Sequence, residues 1–218
     1  NALVYLYYEP SPQPPDLSQL PLYLASRLPQ LKVETRPDFV RCHLSRQDHA
    51  QREAALADVA AALARAKVRN PTRQGENFEP LLGEIEYERR RLASPGKQPF
   101  GLLYDGFKMM QTLRGLLPPQ ERSLALLHIV LTNKLLGTWE ESDRRYHARV
   151  GIFGYPSLIS TTGVVEAPAK PREYYFLKQQ YTALGMPDAA AAGLDREFRG
   201  RYIAHDDPRL TEVMKGYL

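Results

Sequence analysis

The chain has one cysteine, Cys42, in 218 residues. A lone thiol excludes an intramolecular disulfide and any thiolate-rich metal site built from this chain alone, and it agrees with a reducing compartment. No run approaches the roughly 20 apolar residues that cross a bilayer, and Asn1 to Pro10 lack the charged start and apolar core of a signal peptide. These absences point to a cytoplasmic protein without a membrane span. Also missing are His-Glu-x-x-His, the Walker phosphate loop, Gly-x-Gly-x-x-Gly and the Gly-x-Ser-x-Gly nucleophile turn, which removes the common nucleotide and hydrolase signatures. No internal repeat or low-complexity linker divides the sequence, so a single α/β domain over residues 1–218 is preferred to two. The chain opens on Asn1 instead of methionine and stops at Leu218 inside a helical pattern, and is therefore expected to be trimmed at both ends.

What is present reads as an ordinary globular chain: 43% hydrophobic and 25% charged residues suffice for a core. The net charge of +4 permits anions, but Lys and Arg are scattered instead of massed, so nucleic acid is not an expected partner. Ala2 to Tyr8 (A-L-V-Y-L-Y-Y) reads as a core strand ended by the prolines that follow. Asp16 can cap a helix through Leu28, and Lys32 to Arg36 alternates as a half-buried strand before Pro37, giving a β-α-β opening. Between Asp48 and Lys67, Leu56, Val59, Ala60, Leu63 and Ala66 recur at helical spacing. The Glu84-to-Arg91 charge cluster reads as a solvated helical face.

Phe107 to Leu117 follows as a short helix, then Leu124 to Leu131 as a buried strand with His128 as a core residue. A strand pair over His147 to Phe153 and Ser157 to Thr161 is joined by Gly154-Tyr155-Pro156. Pro171 starts a helix to about Leu184, and two more cover Asp188 to Arg199 and Pro208 to Leu218. The fold class is α/β, a mixed sheet packed by helices.

Chemistry concentrates between Arg144 and Tyr175. On a strand, Arg145, His147 and Arg149 share one side, where a neutral imidazole between two cations could ligate metal or accept a proton; a solvated cationic edge explains the same residues. Ser160, Thr161 and Thr162 with Gly163 end a strand in a hydroxyl-rich loop running to Glu166, either a ligand site or plain turn chemistry. Lys170 and Arg172 flank a helix N-terminus suited to a phosphate or carboxylate, unless Glu173 pairs with one of them. His205, Asp206 and Asp207 precede another helix as metal ligands or as its caps.

Several of these stretches together, Leu127 to Asn133, Arg145 to Arg149, Ile159 to Tyr175, Asp206 to Arg209 and Thr211 to Tyr217, resemble a largely archaeal family labelled metallopeptidase. The resemblance covers residues 104–218, and the I-S-T-T-G-V-V-E-A-P-A-K-P-R-E-Y-Y block is its most specific part. It implies a zincin-like topology related to the archaemetzincins, with the helix from Pro171 in the active-site position and zinc as the cofactor. A zincin helix holds zinc through two histidines one turn apart with a glutamate base between them, whereas Arg172 to Tyr181 contains no histidine. Relatives continue past Lys215-Gly216-Tyr217 into a segment with Cys and His.

The resemblance thus implies a metal-dependent peptidase or a degenerate zincin-like hydrolase. Its metal would lie partly on His147 and His205, with Glu166 or Glu173 taking a proton from water and Arg145 or Arg172 facing the oxyanion. The other reading is a non-catalytic or metal-independent protein that binds an anionic ligand through Ser160, Thr161, Lys170 and Arg172. A third makes the prolines and charges an interface. Peptides or small anions are the expected partners.

Overall fold

The computed structural model describes residues 2–10, 18–74, 79–94, 102–123, 125–184, 193–194, 196–198, 200–204 and 207–218. Leu3–Tyr8 forms β1, and Leu6 and Tyr7 on its opposite faces are both fully buried. This is the burial that a continuous apolar run earns in the middle of a parallel sheet. Gln19–Arg27 (α1) returns the chain to β2 (Lys32–Arg36), which pairs parallel to β1 with Leu3 opposite Lys32. On the other side of β1 lies β4 (Leu126–Thr132), also parallel, followed by β8 (Ser157–Ser160). The edge strand β7 (Gly151–Ile152) runs antiparallel to β8, so the five-stranded order is β2-β1-β4-β8-β7.

A second sheet of three strands has the order β3-β5-β6, formed by Leu103–Asp105, Leu135–Glu140 and Arg145–Arg149. β3 is parallel to β5 and β6 antiparallel to it. β6 continues through Val150 into β7, so one extended segment serves both sheets.

Alternation along β1 divides the core. Tyr5 and Tyr7 pack with Val130 and Leu158 against α2 (Phe39–Leu44), α3 (His49–Ala66) and α5 (Gly106–Leu116). Leu6 packs with Leu131 and Ile159 against α1, α6 (Thr161–Glu166) and α8 (Leu210–Lys215). α4 (Leu82–Ala93) lies on α3, and α7 (Arg172–Ala183) packs Tyr174, Leu177 and Tyr181 on a separate small cluster around Leu194 and Phe198. Among the described residues no helix is long and apolar enough to cross a membrane.

The mixed α/β sheet with helices on both faces agrees with the sequence reading, as do β2 and the Asp48-capped α3. Three points differ. The Ser160-to-Glu166 stretch is not a loop: Ser160 accepts the Gly163 N–H through its side chain and caps a short helix. The single strand expected over His147 to Phe153 is split at Val150 as it passes between sheets, and α2, β3 and β5 were not expected at all. The helix expected over Asp188 to Arg199 lies largely outside the described residues.

Candidate functional site

The order β2-β1-β4-β8 means that the chain first moves to one side of β1 and later fills the other. The carboxyl ends of β1 and β4 therefore border a topological switch point, where open α/β sheets hold their ligands. Glu9 follows β1 at this point, and Thr132, Asn133 and Lys134 end and follow β4. The Glu9 carboxylate accepts the Asn133 backbone N–H at 3.1 Å, the Thr132 hydroxyl and a hydrogen bond from the Lys134 ammonium. Burial pushes its pKa up, but Lys134 and these hydrogen bonds outweigh burial and hold the carboxyl below its ordinary value.

Asp38, which caps α2 by accepting the Arg41 N–H at 2.9 Å, is shifted the other way, by burial first and then by the Glu9 charge. Both carboxylates, Thr132 and Lys134 border a cavity of about 20 Å³ with the apolar Phe39 and Val130. That is room for about one water.

The hydroxyl cluster is turned inward onto this knot. Ser160 is fully buried and donates to the Lys134 carbonyl at 2.6 Å. Thr162 donates to the Asn133 carbonyl at 2.6 Å, and Thr161 to that of Thr132 at 3.2 Å. Three successive hydroxyls thus fasten the β4–β5 turn to the start of α6. Gly163 is required beside them, because a Cβ there would lie 2.4 Å from the Arg149 carbonyl oxygen. The two motifs singled out in the sequence, around Arg149 and around Gly163, therefore touch through their backbones.

Tyr146 points inward from β6 and donates to Asp105 at 2.9 Å, while Arg145, on the other face, is exposed. His147 Nε2 lies 2.6 Å from the Asp143 carboxylate, an acidic neighbour that the strand alternation did not reveal. Arg149 donates to Thr138 at 2.7 Å and to Glu140 at 3.3 Å. Lys170 Nζ is 3.9 Å from Glu166 and 4.9 Å from the ring centroids of Tyr174 and Tyr202, and its backbone N–H donates to the Tyr175 hydroxyl. Arg172 stacks over Phe176, and Glu173 pairs with Arg201 at 3.5 Å instead of with Lys170 or Arg172. His205 lies outside the described residues.

A metal site needs at least three protein ligands within reach of one point. Among the described residues no three His, Cys, Asp or Glu side chains are grouped to hold an ion, which includes His147, Glu166 and Glu173. The residues described do not fit a metal.

They do present an open sheet edge. Ser160 donates its N–H to the Val150 carbonyl at 2.7 Å, and the register places Gly151 opposite Ile159 and Ile152 opposite Leu158. Antiparallel ladders alternate hydrogen-bonded and non-bonded pairs, so the Gly151 N–H and C=O point away from β8. Phe153, 69% exposed, lies beside Gly151 on this edge, and α5 packs on β7 through Gly106 against Ile152, with the 51% exposed Phe107 next to Gly106 in sequence.

Sequence reasoning missed Glu9, Asp38, Lys134 and the Gly151 edge. Its one available signal was a polar residue directly after an apolar strand, as in Tyr8-Glu9 and Leu131-Thr132-Asn133-Lys134. It also missed a second polar cluster. Glu121, on the 3-10 turn Pro119–Glu121, accepts from Arg36 at 3.1 Å, Arg46 at 3.0 Å and His43 at 3.2 Å. His128 is the core residue expected, with two hydrogen bonds instead of one. Its Nε2 lies 3.0 Å from the Glu121 carbonyl and must donate, so Nδ1 accepts from the Tyr7 hydroxyl.

No curated protein and no solved structure matches the chain. A family model described as a probable metallopeptidase family matches residues 1–218, so the likeness extends to the first hundred residues, which the sequence motifs left out. With that match over its whole length, the chain belongs to the probable metallopeptidase family (DUF6775).

Proposed function

We propose that this chain is the substrate-holding part of a metal-dependent peptidase, and that it takes a peptide as an added strand against β7. The observation that carries the reading is the antiparallel edge at Gly151, whose outward N–H and C=O have no strand beside them among the described residues. An extended peptide satisfies such an edge through its main chain and is distinguished by the side chains beside it, here through the exposed Phe153. Membership of the family calls for a metal, and zinc is the ion that the zincin-like resemblance proposes. Since the described residues do not fit an ion, their part in this reading is binding, and bond cleavage is assigned to none of them.

The test compares Gly151→Pro with Gly151→Ala. Both add a Cβ, which meets the far end of the exposed Phe153 ring at 3.1 Å and the Leu158 carbonyl oxygen at 3.4 Å, but only proline removes the outward N–H. A fluorescein-labelled octapeptide of alternating threonine and valine with lysine ends should bind Gly151→Pro about tenfold more weakly than Gly151→Ala, the loss of one hydrogen bond. Equal affinities in two folded variants would remove the edge from the account. Chelator-sensitive cleavage of the same peptide by the wild-type protein would support the peptidase part separately.

A further inference from the structure

A larger pocket, of about 380 Å³, lies where α2, α3 and the end of α4 meet. Small-molecule sites begin at about 300 Å³, and this pocket exceeds that size. Its floor is Val40, Leu44, Leu56 and Leu92, aliphatic side chains that belong to or pack on the core, and its rim carries Arg41 and Arg52. Val40 and Leu92 also border the small cavity beside Glu9, so one layer of side chains separates the two spaces.

The charges at the rim are unevenly matched. Four arginines lie on or close to α2, and two of them, Arg36 and Arg46, are committed to Glu121. Arg41 and the half-buried Arg52 have no carboxylate partner among the described residues, and the rim acid Glu53 acts electrostatically on Arg89 of α4. The Ser45 hydroxyl, also on the rim, is donated to the Cys42 carbonyl at 3.0 Å. An apolar floor beneath two guanidinium groups matches one kind of occupant, an apolar body with an acidic head. A neutral hydrocarbon would leave Arg52 half desolvated without compensation, and a compact inorganic anion would leave the floor exposed to water.

We propose that this pocket is a second binding site, separate from the β7 edge, for an amphipathic organic acid. Its carboxylate is held by Arg52 and Arg41, and a chain or ring of about eight carbons lies on Val40, Leu44, Leu56 and Leu92. The guanidinium fork suits the planar carboxylate, and the aliphatic floor supplies most of the affinity.

Octanoate, octanol and octylamine share the same tail and differ only in the head, so they are the probes. Octanoate should raise the thermal midpoint of the wild-type protein, with octanol weaker and octylamine without effect. Arg52→Gln should weaken octanoate about tenfold. Filling the pocket should abolish binding, either from the floor with Leu56→Trp or, if that variant does not fold, from the exposed end of α4 with Ala93→Trp. Equal stabilisation by octanoate and octylamine, or full octanoate binding in a folded pocket-filled variant, overturns the proposal.

Discussion

Replacing Glu121 by glutamine is expected to lower the unfolding free energy by about 3 kcal/mol, read as a shift in the urea midpoint at unchanged slope. Glu121 is 9% exposed and is the anion at the centre of a cationic cluster. Arg36 and Arg46 both donate to it, and His43 points Nε2 at it from 3.2 Å while Nδ1 faces the Phe39 carbonyl at 2.8 Å. The variant keeps the shape and removes the charge, leaving these groups to face one another. Some relief remains, since Glu34 lies 3.5 Å from Arg36, the Arg36 guanidinium stacks on the Tyr5 ring and Arg46 is half exposed. The effect therefore falls at the low end for a broken buried pair. A change below 1 kcal/mol would show the cluster to be solvated.

The same cluster fixes an acid dependence. Burial raises the Glu121 pKa, but hydrogen bonds from Arg46, Arg36 and His43 outweigh it and bring the group down to about 2 from an ordinary 4.5. A depressed folded pKa stabilises above the unfolded value, and that contribution is lost as pH falls through the folded one. Wild-type and Glu121→Gln stabilities should therefore differ fully above pH 4.5 and converge as pH falls towards 2. Parallel curves over that interval would refute the assignment.

Lys134→Met is expected to cost about 3–5 kcal/mol, because it strips the bonded cation from a buried Glu9 and leaves it the Thr132 hydroxyl, the Asn133 N–H and the charge of Arg91. The side chains of Glu9 and Lys134 are 10% and 5% exposed, so bulk water does not reach the carboxylate, and the one water that the adjoining cavity can hold is neutral and does not replace the cation. Asp38, already pushed upward by burial and by the Glu9 charge, loses the nearby ammonium as well. The double variant Glu9→Leu with Lys134→Met should recover most of the loss, since an apolar pair in that space leaves no charge unpaired. Additive losses in the double variant would mean that the two residues do not act as a pair.

How far the sequence revealed this molecule depended on the distance over which its causes act. β1, β2 and α3 are set by local pattern: an apolar run, an alternation and an alanine-rich helical face with an Asp48 cap. α2 has only six residues, too few for a period to show, and its sole marker is Asp38 after Pro37. α6 was hidden because Thr161-Thr162-Gly163 disfavours a helix locally, and the helix forms because Ser160 caps it and Val164 and Val165 are buried. The Glu84-to-Arg91 cluster is a solvated face at Glu86, which pairs with Arg89 and Arg90, but Glu88 in the same run is fully buried against Lys67 and Tyr104. No helical-face argument anticipates a buried carboxylate whose partners come from another helix end and a strand.

The candidate site illustrates the same limit. Sequence proximity drew attention to Arg144 through Tyr175, and the fold does join Arg149 to Gly163. Glu9 and Lys134 meet only because β1 and β4 are neighbours in the sheet, and a pair 125 residues apart leaves no trace in spacing. The outward-facing Gly151 depends on strand order as well.

The most direct measurement of the central claim is an N-methyl scan of the octapeptide, with affinity for the wild-type protein read by fluorescence anisotropy. N-methylation removes one amide donor at a time without changing side chains. If the peptide lies as a strand along Gly151, N-methylation should cost about tenfold at the amide that pairs with Gly151 and leave the amides on either side of it unaffected, because Gly151 is the one residue of β7 turned outward and neighbouring amides of a strand face opposite sides. An even loss at every position, or none at any, would contradict strand addition at β7.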